Sequence, residues 1–169
     1  MGRDPDFERV IAEHRPMLMR IVASHEADPE RRRDLLQDIL LALWRALPGY
    51  RGDGELRAFL ARVAHNRCVS HVARAVAEPA TAELHDQLAQ AADGIEAAER
   101  QQRQERLLAA VRRLPLGLRQ PVVLTLEGFG PKEIADILGL NPNTVSIRLT
   151  RAKAALRSAL TGEPSDERE

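Results

Sequence analysis

Cysteine, aromatic residues and long apolar runs are all scarce in this 169-residue chain. Cys68 stands alone, so no internal disulfide can form and a reducing compartment is compatible. Aromatic residues make up 3%, so the core that a 44% hydrophobic composition permits must be built from Leu, Ala, Ile and Val. The longest continuous apolar run, Ile39 to Trp44, is far too short to cross a bilayer. The opening MGRDPDFERV is charged and has no apolar signal core, so a cytoplasmic protein without membrane insertion is expected. Ten Gly, ten Pro and few β-branched runs favour an all-α chain.

Net charge is also absent, which taken alone argues against a nucleic-acid partner. Its distribution argues the other way. Residues 1–77 carry 13 Arg against 11 acids, and residues 78–104 carry 2 Arg against 6 acids. Residues 105–160 then hold 9 Lys and Arg against 4 acids, and 161–169 hold 1 Arg against 4 acids. A basic module therefore sits between acidic flanks, and the total conceals it.

Apolar residues recur at helical spacing in the first part of the chain. Phe7, Val10, Ile11, Met17, Leu18, Ile21 and Val22 predict a helix from residue 5 to about 25. Asp28-Pro29 opens a second, with Leu35, Leu36, Ile39, Leu40, Leu43, Trp44 and Leu47 on one face until Pro48-Gly49. Tyr50 to Glu55, YRGDGE, reads as an exposed loop, and a third helix follows over about 56–76. From Ala77 the pattern dissolves into an acidic stretch that cannot bury much, read as a flexible linker over 77–95. Helix resumes near Ile95 and stops at Pro115; Leu118 to Leu126 forms the next. The expected architecture is thus two small helical domains, 5–76 and 96–160, with a disordered tail at 161–169.

Pro131 to Arg157 carries the most functional information. Pro131 can open a short helix with Ile134, Ala135 and Leu138 on its apolar face, and Gly139 supplies the left-handed residue that ends it. Asn141 caps a second helix and Pro142 takes its first position. Val145, Leu149, Ala152 and Leu156 fall on one stripe, while Thr144, Ile147, Arg148 and Arg151 lie opposite, with Lys153 and Arg157 further along. A charged helix face is commonly just solvated, but between Pro142 and Leu160 there are four cations and no acid. Helix, glycine turn, Asn-Pro cap and basic helix together match a helix-turn-helix whose second helix enters the major groove.

With this unit placed after a linker and a helical bundle, the chain resembles the extracytoplasmic-function (ECF) sigma factors of bacterial RNA polymerase. Three stretches carry the resemblance. Asp34-Leu35-Leu36-Gln37-Asp38, followed by Trp44, looks like the family's segment that docks on the polymerase clamp coiled coil. The loop Tyr50-Arg51-Gly52-Asp53-Gly54-Glu55, leading into Arg57-Ala58-Phe59-Leu60 and Val63-Ala64-His65-Asn66, is similar to the part that melts and reads the minus-ten element. Arg119-Gln120-Pro121, Glu133-Ile134-Ala135 and Thr144 to Lys153 look like the minus-thirty-five reader.

The resemblance implies a set of roles. Asp34, Leu35, Gln37, Asp38 and Trp44 would bind core polymerase. Tyr50, Arg51, Asp53, Gly54, Arg57, Arg62, Asn66 and Arg74 would serve the minus-ten element, with Asn66 available to a base edge. Thr144, Ile147, Arg148, Arg151 and Lys153 would read the minus-thirty-five element. No cofactor is implied, and control by an anti-sigma partner is. The chain departs from the family pattern at Ser70, at the Ala73-Arg74-Ala75 end of that helix, at Phe59 where Trp is common, and at Ser146-Ile147, which leaves the promoter sequence open.

Other chemistries fare worse. His65, Cys68 and His71 sit three apart, but such steps drift around a helix and no fourth metal ligand is nearby. Cys68 reads as a packing residue and not as a nucleophile. YRGDGE has too few oxygen ligands for a calcium loop, and no phosphate-binding loop or carboxylate pair points to an enzyme. A stand-alone operator-binding regulator and a pure interaction module with a solvated basic helix remain the alternatives.

Overall fold

In the computed structural model, which describes residues 5–52, 54–77 and 94–162, every regular element is helical. Seven α-helices follow in order: α1 (Pro5–Ala23), α2 (Pro29–Ala46), α3 (Leu56–Ala77), α4 (Ile95–Arg113), α5 (Leu116–Leu126), α6 (Pro131–Leu138) and α7 (Pro142–Thr161). A 3-10 turn, Leu47–Gly49, closes α2. The two end positions of the expected 77–95 linker are helical. Ala77 still belongs to α3 and Ile95 already opens α4, while 78–93 lie outside the described residues. Thr161 likewise ends α7, and the rest of the expected tail, 163–169, lies outside them.

The first three helices pack against one another as a bundle. Asp28 starts α2 by accepting the Arg31 N–H at 3.2 Å, and Pro29 occupies the first turn, where no N–H partner is needed. Leu18 and Ile21 from α1, Ile39 and Leu43 from α2, and Leu60 from α3 are fully buried. Each such side chain contributes about 1.5–3 kcal/mol relative to exposure. Ala61, Ala64 and Cys68 lie beside them on α3, where small side chains let the helices approach closely.

The remaining four helices form the second bundle, with α7 packed on α4, α5 and α6. Pro115 caps α5 in extended conformation, so that helix begins at Leu116, two residues before the expected Leu118. Arg119 is buried, and its guanidinium donates to the carbonyls of Arg112 at 2.6 Å and Leu114 at 3.0 Å. It thereby satisfies carbonyls left open at the end of α4. Burial lowers its pKa without threatening its charge. Gly139, at φ +66°, ends α6 in left-handed conformation, and Asn141 caps α7 by accepting the Asn143 N–H at 2.8 Å.

The two bundles are not separate in space. α5 and α6 both pack on α3, and the buried residues of the two halves form one continuous cluster.

Candidate nucleic-acid and polymerase interfaces

On α7 the two faces differ as the sequence pattern requires. Val145 and Ala152 are buried against the preceding helices, with Leu149 and Leu156 half-buried on the same stripe. Ile147, Arg151, Lys153 and Arg157 are exposed on the other side. Thr144 and Arg148 are half-buried, and an Arg148 N–H reaches back to the Gly117 carbonyl at 3.4 Å. A Cβ at Gly117 would stand 3.6 Å from the Arg148 guanidinium, an ordinary contact distance, so the lean does not depend on the glycine. The first turn contains no acid, so the positive end of the helix dipole remains open to a phosphate.

The YRGDGE loop is tied down by its own tyrosine. The Tyr50 hydroxyl donates to the Gly54 carbonyl at 2.6 Å, and its ring rests on Phe59 with centroids 5.1 Å apart. Arg51 and Gly54 are exposed, whereas Asp53 lies outside the described residues. Along α3, Arg62, Asn66 and Arg74 are exposed, while half-buried Arg57 is engaged by the second bundle. Arg57 donates to the Glu127 carbonyl and lies over the Phe129 ring at 4.4 Å from its centroid. Arg62 contacts the Asp136 carbonyl at 3.4 Å.

Of the residues assigned to core polymerase, Asp34 and Gln37 are exposed on α2 and Asp38 stands 3.8 Å from Arg67. Trp44, the sole tryptophan, is 54% exposed, unusual for a large apolar side chain. Leu35 departs from that expectation. At 4% exposure it belongs to the core, because it falls on the same face as Ile39 and Leu43. It holds α2 in place and offers no surface to a partner.

The His65, Cys68, His71 series is also dispersed. His65 and Cys68 are buried, and the apolar surroundings push the Cys68 thiol up to about 12, which suits packing and not nucleophilic chemistry. His71 instead meets the Glu26 carboxylate at 2.6 Å.

Several residues that organise this surface carry no signal in the sequence. Glu127 is buried between the bundles, and its carboxylate accepts both the Nε–H and a terminal N–H of Arg20, each at 2.8 Å. That pairing raises the Arg20 pKa. Arg112 crosses the same seam to the Ala23 carbonyl at 2.8 Å. Beside it lies an open groove of about 900 Å³ between α1, α2, α4 and α5. Its lining includes the apolar Met19, Leu36, Leu107 and Leu126 and the basic Arg15, Arg33 and Arg100. Met19 and Leu126 are more than half exposed.

Comparison with known proteins places both halves. Residues 10–77 match the Sigma-70 region 2 family model and residues 104–156 match Sigma-70, region 4. The ECF RNA polymerase sigma factor SigM of Mycobacterium tuberculosis is 31% identical over 157 residues, spanning 91% of this chain and 76% of the relative. The RNA polymerase sigma-H factor of Pseudomonas aeruginosa is 25% identical, spanning 91% of this chain and 86% of its own. Among solved structures, CnrH, in complex with the cytosolic domain of CnrY, is 25% identical with a TM-score of 0.69, covering 96% of this chain and 92% of CnrH. The sigma factor RpoE of Bartonella quintana, in complex with the anti-sigma factor NepR, shares the fold at a TM-score of 0.71 and 20% identity, covering 94% of this chain and 99% of RpoE. With region 2 and region 4 matched in order and a SigM relative spanning nearly all of it, the chain belongs to the sigma-70 family and is an alternative sigma factor of the ECF group.

Proposed function

We propose that this chain binds bacterial core RNA polymerase, recognises a two-element promoter, and opens the upstream edge of the transcription bubble for a specialised regulon. Residues 5–76 form the polymerase-binding and minus-ten domain, and residues 96–160 form the minus-thirty-five domain. The observation that carries this reading is α7, a helix with one stripe docked on its own domain and an outer face of four cations without an acid. Arg148 and Arg151 address base edges and phosphates, Thr144 and Ile147 meet bases through a hydroxyl and an apolar contact, and Lys153 neutralises phosphate.

On α2, Asp34, Gln37, Asp38 and Trp44 make a surface with charge at its centre and a large apolar side chain at one end, suited to a basic helical partner on the polymerase. Unstacking a promoter base costs a few kcal/mol, which the YRGDGE loop offsets by enclosing the base. Tyr50 then exchanges its Gly54 hydrogen bond for stacking, and Arg51, Asp53 and Gly54 line the enclosure, with Arg57, Arg62, Asn66 and Arg74 along α3. Its role is binding and positioning, not catalysis of a reaction of its own, and its place is the cytoplasm, where polymerase works. No described helix is long and apolar enough to cross a membrane.

CnrH was solved with the cytosolic domain of CnrY and RpoE with the anti-sigma factor NepR, and an anti-sigma partner is proposed here too. The groove between α1, α2, α4 and α5, lined by both apolar side chains and arginines, suits an amphipathic helix with acids flanking an apolar stripe.

The test is reconstitution. Purified chain and sigma-free core polymerase are assayed on a random promoter library. Transcripts sharing two upstream elements are the expected result. Specific binding of duplex DNA by the chain alone, with no initiation, would instead make it an operator-binding regulator.

A further inference from the structure

The groove between α1, α2, α4 and α5 concentrates positive charge that the chain as a whole does not have. Six arginines line it, Arg15, Arg20, Arg32, Arg33, Arg100 and Arg112, against two carboxylates, Glu105 and Glu127. That is an excess of four positive charges in a chain whose total is zero. Ion pairs account for two of the six: Arg20 is clamped by Glu127, and Arg33 meets Glu30 at 3.1 Å. Arg15 and Arg100 are exposed and have no ion pair among the described residues. Arg32 and Arg112 are half-buried, and each is held by a neutral acceptor. Arg32 donates from Nε to the Glu26 carbonyl at 2.6 Å, and Arg112 donates to the Ala23 carbonyl at 2.8 Å. Burial lowers the pKa of both, and repulsion from Arg32 lowers that of Arg112 further. Glu26 and Glu105 offset part of this, but the Glu26 carboxylate already meets His71 at 2.6 Å and the Asp28 N–H at 2.9 Å. Both guanidiniums stay charged and keep further N–H groups for an incoming acceptor.

We infer that this groove is a binding site for a nucleoside triphosphate, its phosphates taken by Arg15, Arg32, Arg100 and Arg112 and its nucleoside by the apolar part of the lining. Arginine forks match phosphate oxygens two at a time, and the flat guanidinium face also accepts a planar ring. A volume of about 900 Å³ lies within the range of small-molecule sites and exceeds what one inorganic phosphate fills. Met19, Leu36, Leu107 and Leu126 supply the apolar surface that a phosphate alone would leave unused. The inference goes beyond the sigma-factor reading and does not rest on it, since binding is read on the chain alone. A nucleotide and a partner helix would compete for the same arginines.

Calorimetric titration of the full chain with ATP and with GTP tests it, in magnesium-free buffer at fixed ionic strength. Thermal unfolding with the same nucleotides is the second readout. Arg15→Glu and Arg100→Glu reverse charge at two exposed groove positions. Arg112→Gln removes charge but keeps an amide donor for the Ala23 carbonyl, and circular dichroism checks that its helices persist. Two controls make the same charge reversal elsewhere. Arg103→Glu is exposed on α4 outside the groove, and Arg151→Glu lies on the outer face of α7. Tripolyphosphate separates the phosphate chain from the nucleoside.

The expected result is saturable one-to-one binding of ATP or GTP, with a melting temperature that rises with nucleotide concentration. Each groove variant should weaken binding about 10-fold or more, the worth of one charged hydrogen bond, and each control should change it less than about twofold. No saturable heat and no thermal shift with either nucleotide would overturn the inference. An equal loss in the controls would overturn it too, since general attraction to basic surface would then explain the binding. Tripolyphosphate binding as tightly as ATP would overturn the assignment of the nucleoside to the apolar lining. Saturable binding of a glutamate-rich amphipathic peptide by a chain that ignores both nucleotides would overturn the site in favour of the partner helix alone.

Discussion

Lowering the pH from 7 to 5 attacks the N-terminal bundle at one spot. His25 and His65 are both buried, at 6% and 1% exposure, and their rings meet edge to face with centroids 5.2 Å apart. Nδ1 of His25 lies 2.8 Å from the Ile21 carbonyl and donates to it in the neutral ring, leaving Nε2 without a partner. Neither ring nitrogen of His65 has one. Burial disfavours the imidazolium in both cases, holding His25 down at about 4 and His65 at about 3 against an ordinary 6.5. Arg119 and His71 add repulsion at His25, and His25 adds it at His65.

The sign follows from which state takes up the proton. Both folded pKa values lie below the unfolded one, so acid favours the unfolded chain. The stability is fully present above pH 6.5 and drains away as the pH falls toward 4. Between pH 7 and pH 5 the two rings together cost about 3–4 kcal/mol by this linkage, a large share of the roughly 5–15 kcal/mol of a small domain. Urea unfolding at pH 7.0, 6.0, 5.5 and 5.0 reads this directly. His65→Leu should flatten the acid limb to about half its slope, because one proton is then bound on unfolding where two were before. Midpoints that do not move between pH 7 and 5, or an unchanged slope in His65→Leu, would refute the argument.

Three other substitutions separate binding from folding. Arg148→Ala should weaken minus-thirty-five duplex binding by about 1–3 kcal/mol and relax base choice there; a purely thermal effect with affinity unchanged would remove Arg148 from the reading helix. Asp34→Arg, exposed and away from the core, should abolish capture of core polymerase while leaving helical circular dichroism unaltered, and undiminished co-elution would end the docking role of α2. Ile134→Ala empties a fully buried position between α6 and α7 and should cost about 2–5 kcal/mol in chemical denaturation, with a loss below 1 kcal/mol showing that this part of the core collapses to fill the space.

How much of this was legible in the sequence depends on how far apart the interacting residues lie. Pro131, Gly139, Asn141 and Pro142 act within a few residues of themselves, so the turn between α6 and α7 follows from them directly. Helical periodicity likewise reveals which sides of α1, α2 and α7 are buried, because a 3.6-residue repeat samples a single environment. The same periodicity places Leu35 on the buried side of α2, where family resemblance had assigned it to a partner surface.

Arg119, His65 and Glu127 are of another kind. Each is a polar residue whose burial depends on another helix, and composition rules put Arg and Glu in water. Arg119 is kept inside by two carbonyls at the end of α4, and Glu127 by arginines on α1 and α3. Arg57, which family resemblance assigns to the minus-ten element, is held by the Glu127 carbonyl and the Phe129 ring, a contact between residues 70 apart that no local pattern reveals.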